Sequence, residues 1–247
     1  MFPNVDEVMI DLNEFFNLES VIDVIYNPLQ TKLLQVALNK GVKAVNGLYM
    51  LVAQAVYASK IFIDKTIDSN VIDKVYEQLL NEKQNIVLIG MPSCGKTTIG
   101  KMLASLLGKK FVDSDTIIEE KLGMKISQFL TKENEFEFRN IESEVIKELS
   151  LENNLIIATG GGVIKRDENI KYLKFNGKMI FIDRKLELLQ STSSRPLSSN
   201  INDLKNLYNQ RYPLYHKYAD YVVVNNDKIE NVVDEIINYI NVIWRGL

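Results

Sequence analysis

The nonapeptide GMPSCGKTT, residues 90 to 98, follows the apolar run Ile86-Val87-Leu88-Ile89 and fits the spacing G-x-x-x-x-G-K-[ST]. In that pattern the backbone N–H groups around Ser93 to Lys96, with Cys94 and Gly95 between them, turn into one concavity. The following helix adds the positive end of its dipole, Lys96 adds a point charge, and Thr97 offers a hydroxyl to magnesium. The chemistry is phosphate binding, which names a nucleotide but leaves the acceptor open. Cys94 reads as a small filler, although a helix N-terminus can lower a thiol pKa and favour alkylation.

Four further clusters suit an acceptor. FVDSD, residues 111 to 115, sets Asp113 and Asp115 at a strand end. One can face hydrated magnesium and the other a substrate hydroxyl, or the pair is a helix-capping turn. In EFEFRNIE, residues 135 to 142, Arg139 either grips a planar anion from a helix or is an ordinary solvated arginine, or the partner of Glu135 or Glu142 at helical spacing. ATGGGV, residues 158 to 163, is either a backbone approach to a ligand or a loose turn. Arg195 in SSRPLSSN lies in a polar loop suited to a mobile lid, and Arg211 in NQRYPLYHKYAD lies on a helix.

The elements that must position these groups alternate regularly. Strands are expected at 86–89, 110–112, 155–158, 179–182 and 221–224, and helices at 96–107, 115–122, 135–149, 167–175 and 229–243. Several strands are continuous apolar runs, as in a parallel sheet covered on both faces, so the fold class is doubly wound α/β. The clusters then fall where loops leave the carboxyl ends of the strands, the edge at which such sheets bind ligands. Residues 1–82 differ in texture, with only Gly41 and Gly47 as glycines. Residues 68–84 read as a helix, with Val71, Ile72, Val75, Leu79 and Leu80 on one face and Asp68 or Ser69 as N-cap. The domain boundary is placed between residues 82 and 83.

Composition narrows the function. The 29 basic and 32 acidic residues nearly cancel without blocks of like charge, so there is no footprint for nucleic acid. One cysteine excludes an internal disulfide framework, one histidine excludes His-rich metal clusters, and a Ser-His-Asp triad is not expected. The amino terminus lacks a basic start and apolar h-region, and no apolar run reaches membrane-spanning length; a cytoplasmic chain without a membrane partner is expected.

Taken in order, GxxxxGKT, DSD, FR, TGGG, RPL and R-x-P-L-Y resemble the shikimate kinases over residues 85 to about 245. That resemblance implies a P-loop fold of the nucleoside-monophosphate-kinase type and transfer of the ATP γ-phosphate to the 3-hydroxyl of shikimate, with Mg²⁺. It also implies roles. Ser93, Cys94, Gly95, Lys96, Thr97 and Thr98 wrap the ATP phosphates. Thr97 ligates the metal with Asp113 assisting through water, and Asp115 binds ring hydroxyls and acts as base. Arg139 and Arg211 hold the carboxylate, Gly161 contacts shikimate, and Arg195 closes over the transferring phosphate from the lid. Asn134-Glu135 stands where the family often has Gly-Glu, and the lid QSTSSRPLSSN is shorter, with Gln190 or Ser191 at a commonly basic position. Two alternatives remain: a weak nucleotide- or shikimate-binding partner, and a gluconate-type kinase.

VIDVIYNPLQTKLL, residues 21 to 34, and GVKAVNGLYMLVAQAVYASKIF, residues 41 to 62, resemble the carboxyl-terminal part of shikimate dehydrogenase. In that resemblance Tyr26 and Gln54 match positions near substrate and nicotinamide. The segment holds no G-x-G-x-x-G loop and no counterpart of the catalytic lysine and aspartate, so hydride transfer by this chain alone is not expected. The resemblance implies a small N-terminal α/β appendage. Because Met1 falls inside the dehydrogenase pattern, the expectation is the tail of a dehydrogenase–kinase fusion whose upstream part is split off, miscalled or lost, and the missing part of a dehydrogenase is a candidate partner.

Overall fold

The computed structural model describes residues 5, 10–64, 66, 68, 70–131, 133–189 and 201–245. The chain divides into two compact units, Met1–Gln84 with Trp244–Leu247, and Asn85–Ile243. In the first, β1 (Ser20–Ile22) and β2 (Lys43–Val45) pair in parallel, with α1 (Lys32–Asn39) as the crossover between them. Thr31 starts α1 by accepting from the Leu34 N–H, and its own hydroxyl donates to Asp23 Oδ2 at 2.6 Å. The small core beneath is Leu12, Val21, Leu34 and Ala37. Two helices follow, α2 (Leu48–Ile63) and α3 (Asn70–Lys83), joined by an edge-on Tyr49–Tyr76 contact at 5.3 Å. The Asp68 carboxylate caps α3 through Asn70 N–H at 3.0 Å. Helix α2 buries Leu48, Val52 and Val56 and leaves Tyr57, Ile61 and Phe62 exposed.

The second unit is built on a five-stranded parallel sheet of order β4-β5-β3-β6-β7. Its elements are β3 (Asn85–Ile89), α4 (Lys96–Leu107), β4 (Lys110–Asp113), α5 (Ser114–Leu122), α6 (Ile126–Phe129), α7 (Glu135–Leu151) and β5 (Leu155–Ala158). Then come α8 (Asp167–Asn176), β6 (Gly177–Asp183), α9 (Ile201–Tyr218), β7 (Tyr221–Val224) and α10 (Ile229–Arg245). Strands β3 and β5 are buried at every residue, which explains their unbroken apolar sequences. Asn85 is the polar exception: its side chain donates to Glu152 O at 2.8 Å and accepts from Leu155 N at 2.9 Å, joining the starts of β3 and β5.

From β3 the chain runs out to edge strand β4, returns to β5, and then crosses to β6 on the other side of β3. Connections from strands on either side of β3 therefore diverge at its carboxyl end, which opens the crevice where such sheets take ligands. The fold is the α/β parallel sheet with flanking helices anticipated from the sequence. Two features went beyond it. Helix α6 is a single turn, too short to show a period. Helix α9 continues through Pro213, a residue that ordinarily reads as a stop. Among the described residues no helix is long and apolar enough to cross a membrane.

Candidate active site

The loop between β3 and α4 is held in a conformation that few sequences accept. Gly90 and Gly95 have φ of 147° and 101°, and Ser93 sits in the left-handed region at φ 65°. A side chain at Gly90 would strike Ile182 O at 2.7 Å, and one at Gly95 would strike Asn225 Nδ2 at 2.7 Å. The loop is thus clamped between strand ends. Asn225, 1 % exposed, donates from Nδ2 to Cys94 O at 2.8 Å. Cys94 Sγ is buried and faces Lys96 Nζ at 3.7 Å, so the thiol is a filler out of reach of solvent. Lys96 Nζ folds back onto Gly90 O and Met91 O, both at 2.9 Å. Thr97 Oγ1 donates to Asp113 Oδ2 at 3.0 Å, while Asp113 Oδ1 caps α5 through Asp115 N–H. The capping reading of the DSD segment therefore holds, and the same Asp113 carboxylate is also a neighbour of the Thr97 hydroxyl.

The acceptor side is organised by the turn after β5. Thr159 Oγ1 donates to Leu88 O at 3.0 Å, and Gly160 N–H donates to Ser114 Oγ at 3.1 Å, which fixes the turn against β3 and α5. Each glycine then leaves room for a different side chain. A Cβ on Gly160 would lie 2.5 Å from Asp115 Oδ1, one on Gly161 would lie 3.3 Å from Arg211 Nη1, and one on Gly162 would lie 2.4 Å from Arg139 Nη1. Consecutive Cα atoms are about 3.8 Å apart, so the turn gathers three charged groups from three helices within the span of three residues.

Both arginines are buried, Arg139 at 6 % and Arg211 at 5 % exposure. Arg139 Nη1 pairs with Glu142 Oε2 at 2.8 Å and Nη2 approaches Glu135 Oε1 at 3.5 Å, while Nε is buried without a partner. The solvated reading of Arg139 is thereby corrected: its position on α7 faces the core, beside Phe138. The ion-pair reading and the cleft-facing reading coexist, because one edge of the guanidinium meets Glu142 while the residue lines the cleft. Burial pushes the Glu142 carboxyl up in pKa, against the pull of Arg139, Arg211 and Arg166. Arg211 Nη1 and Tyr215 Oη, four residues apart on one face of α9, both donate to Gly161 O, at 3.0 and 2.6 Å. Burial raises the Tyr215 phenol, so it stays a donor.

These groups line one cleft of about 890 Å³. It brings together Ser93, Gly95, Lys96, Thr97, Thr98, Asp113, Asp115, Arg139, Gly161 and Arg211. Cys94 lies beneath the loop, and Arg195 and the 190–200 lid fall outside the described residues. Sequence reasoning quoted Ser114, Thr159 and Tyr215 inside DSD, TGGG and R-x-P-L-Y without assigning them their hold on backbone atoms, and it passed over Asn225. The Thr97 hydroxyl beside the Asp113 carboxylate is a hard oxygen pair that suits magnesium, which keeps much of its water and takes phosphate oxygens.

A phosphate loop facing a carboxylate and two buried arginines defines a P-loop kinase acting on a small anionic acceptor. The shikimate kinase family model matches residues 92–241, and the chain belongs to that family. It is 49% identical over 158 residues to a shikimate kinase of Clostridium botulinum (strain Eklund 17B / Type B), covering 62% of this chain and 95% of that one. Among solved structures it resembles shikimate kinase from Acinetobacter baumannii in complex with shikimate. That match has TM-score 0.62 and 36% identity, covering 67% of this chain and 97% of the other. The enzyme from Aquifex aeolicus matches with TM-score 0.59 and 34% identity, covering 66% and 100%.

Proposed function

We propose that this chain transfers the γ-phosphate of ATP to the 3-hydroxyl of shikimate, in the cytoplasm. The observation that carries this reading is the three-glycine turn, which seats Asp115, Arg211 and Arg139 in the cleft that the phosphate loop opens into. Shikimate has a carboxylate at one end and three hydroxyls at the other. Two buried guanidinium groups suit the first, and Asp115 with backbone donors suits the second. Glu142 orients the Arg139 fork, and the unpartnered Arg139 Nε leaves a donor available for an anion.

On the nucleotide side, loop N–H groups from Ser93 to Thr98 wrap the phosphates. Lys96 exchanges its two carbonyl partners for phosphate oxygens, a trade that favours the charge-assisted bond. Thr97 and Asp113 would hold Mg²⁺, whose bound form supplies charge neutralisation on the phosphates. Asp115 accepts the proton of the attacking hydroxyl, and Arg195 covers the transferring group. Phosphoryl transfer of this kind needs positioning and charge stabilisation more than covalent help.

A coupled ADP-release assay with shikimate, gluconate and no acceptor tests the assignment. Turnover stimulated by shikimate alone is expected; well-folded protein with magnesium that shows none is a binding partner. For residues 1–82 we propose a remnant of the carboxyl-terminal part of a shikimate dehydrogenase, without hydride transfer of its own. The parallel β1-α1-β2 unit followed by two helices supports this reading. A dehydrogenase frame lacking its tail in the DNA just upstream would agree with it, and an unrelated frame would remove its basis.

A further inference from the structure

Among the described residues the cleft holds two more cations that neither the loop motif nor the acceptor residues account for: Lys125, paired with Glu119 at 2.7 Å, and Arg184. Arg184 follows β6, the strand beside β3, and lines the cleft together with Pro92, Ser93 and Lys96. Its backbone is locked on both sides to the supports of the phosphate loop. Ile182 O abuts Gly90, Asp183 O accepts from Asn225 N–H at 2.7 Å, and Lys185 N–H donates to Asn226 Oδ1 at 3.0 Å. Asn225 is the residue that holds Cys94 O, so Arg184 and the loop share one frame.

Among the described residues, the buried Nε of its side chain has no hydrogen-bond partner and no carboxylate lies within ion-pair distance of the guanidinium. The adjacent Asp183 carboxylate accepts instead from Tyr212 Oη at 3.1 Å. An arginine keeps its charge under all physiological conditions, and a half-buried guanidinium without a counter-ion is stabilised when an anion arrives. Topology indicates which anion. Asp115, Arg139 and the glycine turn come from β4, β5 and the helices after β4, on one side of β3; Arg211, on α9 after β6, is turned to Gly161 O, whereas Arg184 stays at the end of β6 beside the phosphate loop.

Resting on the ATP-dependent kinase reading, we propose that Arg184 is a nucleotide-binding residue whose guanidinium holds the phosphate chain of ATP from the β6 side, opposite Lys96. The planar fork suits two phosphate oxygens at once, and its rigid base needs no lid movement to present it.

The test compares the wild-type chain with Arg184→Met, which keeps the apolar stem, and Arg184→Lys, which keeps the charge. Affinities for ADP, adenosine and shikimate are read by titration, and thermal midpoints check folding. Loss of a charge-assisted bond predicts that R184M weakens ADP binding about tenfold or more, with adenosine and shikimate unchanged and R184K recovering part of the loss. Unchanged ADP affinity, or an equal loss for adenosine, or a loss confined to shikimate, each overturns the proposal. If R184M does not fold, R184K decides: it must still bind ADP several-fold more weakly than wild type while binding adenosine equally well. The titrations need no turnover, so wild-type failure with shikimate would sink the kinase reading and leave the Arg184 result to stand or fall by itself.

Discussion

Replacing Gly162 by alanine should act on catalysis through Arg139 without disturbing the backbone. Gly162 has φ −101° and ψ −5°, values open to alanine, so conformational strain is not the issue. The new methyl would sit 2.4, 2.6 and 2.7 Å from Nη1, Nη2 and Cζ of Arg139, where ordinary contact begins at 3.4 Å. The guanidinium must therefore retreat by about 1 Å, enough to spoil either its 2.8 Å bond to Glu142 or its alignment with the acceptor carboxylate. Losing one charged hydrogen bond costs about 1.5–3 kcal/mol, or roughly ten- to 150-fold in kcat/KM for shikimate. The KM for ATP should hold. Steady-state kinetics of Gly162→Ala, Arg139→Ala and the double variant check the route: because both changes remove the same contact, the double variant should match R139A. Additive losses, or a rise in the ATP KM, would refute this reasoning.

Arg139→Ala itself should lower acceptor kcat/KM by about ten- to a hundredfold or more, at least as much as Gly162→Ala, while ADP titration is unchanged; equal loss of ADP binding would make Arg139 a structural residue. Thr97→Val removes the hydroxyl beside Asp113 and should move the magnesium requirement of turnover to higher concentration, an effect read from the titration midpoint. Asn225→Leu strips Cys94 O of its donor and should cost about 1–3 kcal/mol in urea unfolding and weaken ADP binding, with shikimate binding spared. Glu135 gives a pH signature. Its hydrogen bond from Lys165, at 2.7 Å, holds the carboxyl below its usual 4.5, so its contribution is complete above that value and is lost as pH falls through the lower folded value. Glu135→Gln should therefore destabilise by at most about 1 kcal/mol at pH 7, since the pair is partly exposed, and the difference from wild type should vanish in acid.

The legible parts of this molecule were those where local chemistry and position agree. Ile86 to Ile89, an apolar run leading into the GxxxxGKT loop, was read as a strand covered on both faces, which it is, and the glycines flanking Ser93 take the positive φ that a tight loop needs. Arg139 was ambiguous for a physical reason: its i+3 neighbour Glu142 is the same residue type whether the pair is solvated or buried, and burial is set by α7 packing against α8 and the glycine turn. Thr159, Ser114 and Asn225 act on backbone atoms distant in sequence, so no spacing rule reveals them. The helical reading of NQRYPLYHKYAD holds across Pro213: α9 runs through it and carries Arg211 and Tyr215 to the same carbonyl.

The glycine turn also bears on resistance to inhibition. A compound that bonds to the backbone of residues 160–162 would address a surface on which every substitution adds a carbon, and that carbon strikes Asp115, Pro92 and Arg211, or Arg139. On the roles proposed for Asp115 and Arg139, escape from such a compound by changing Gly160 or Gly162 should cost activity in the same step.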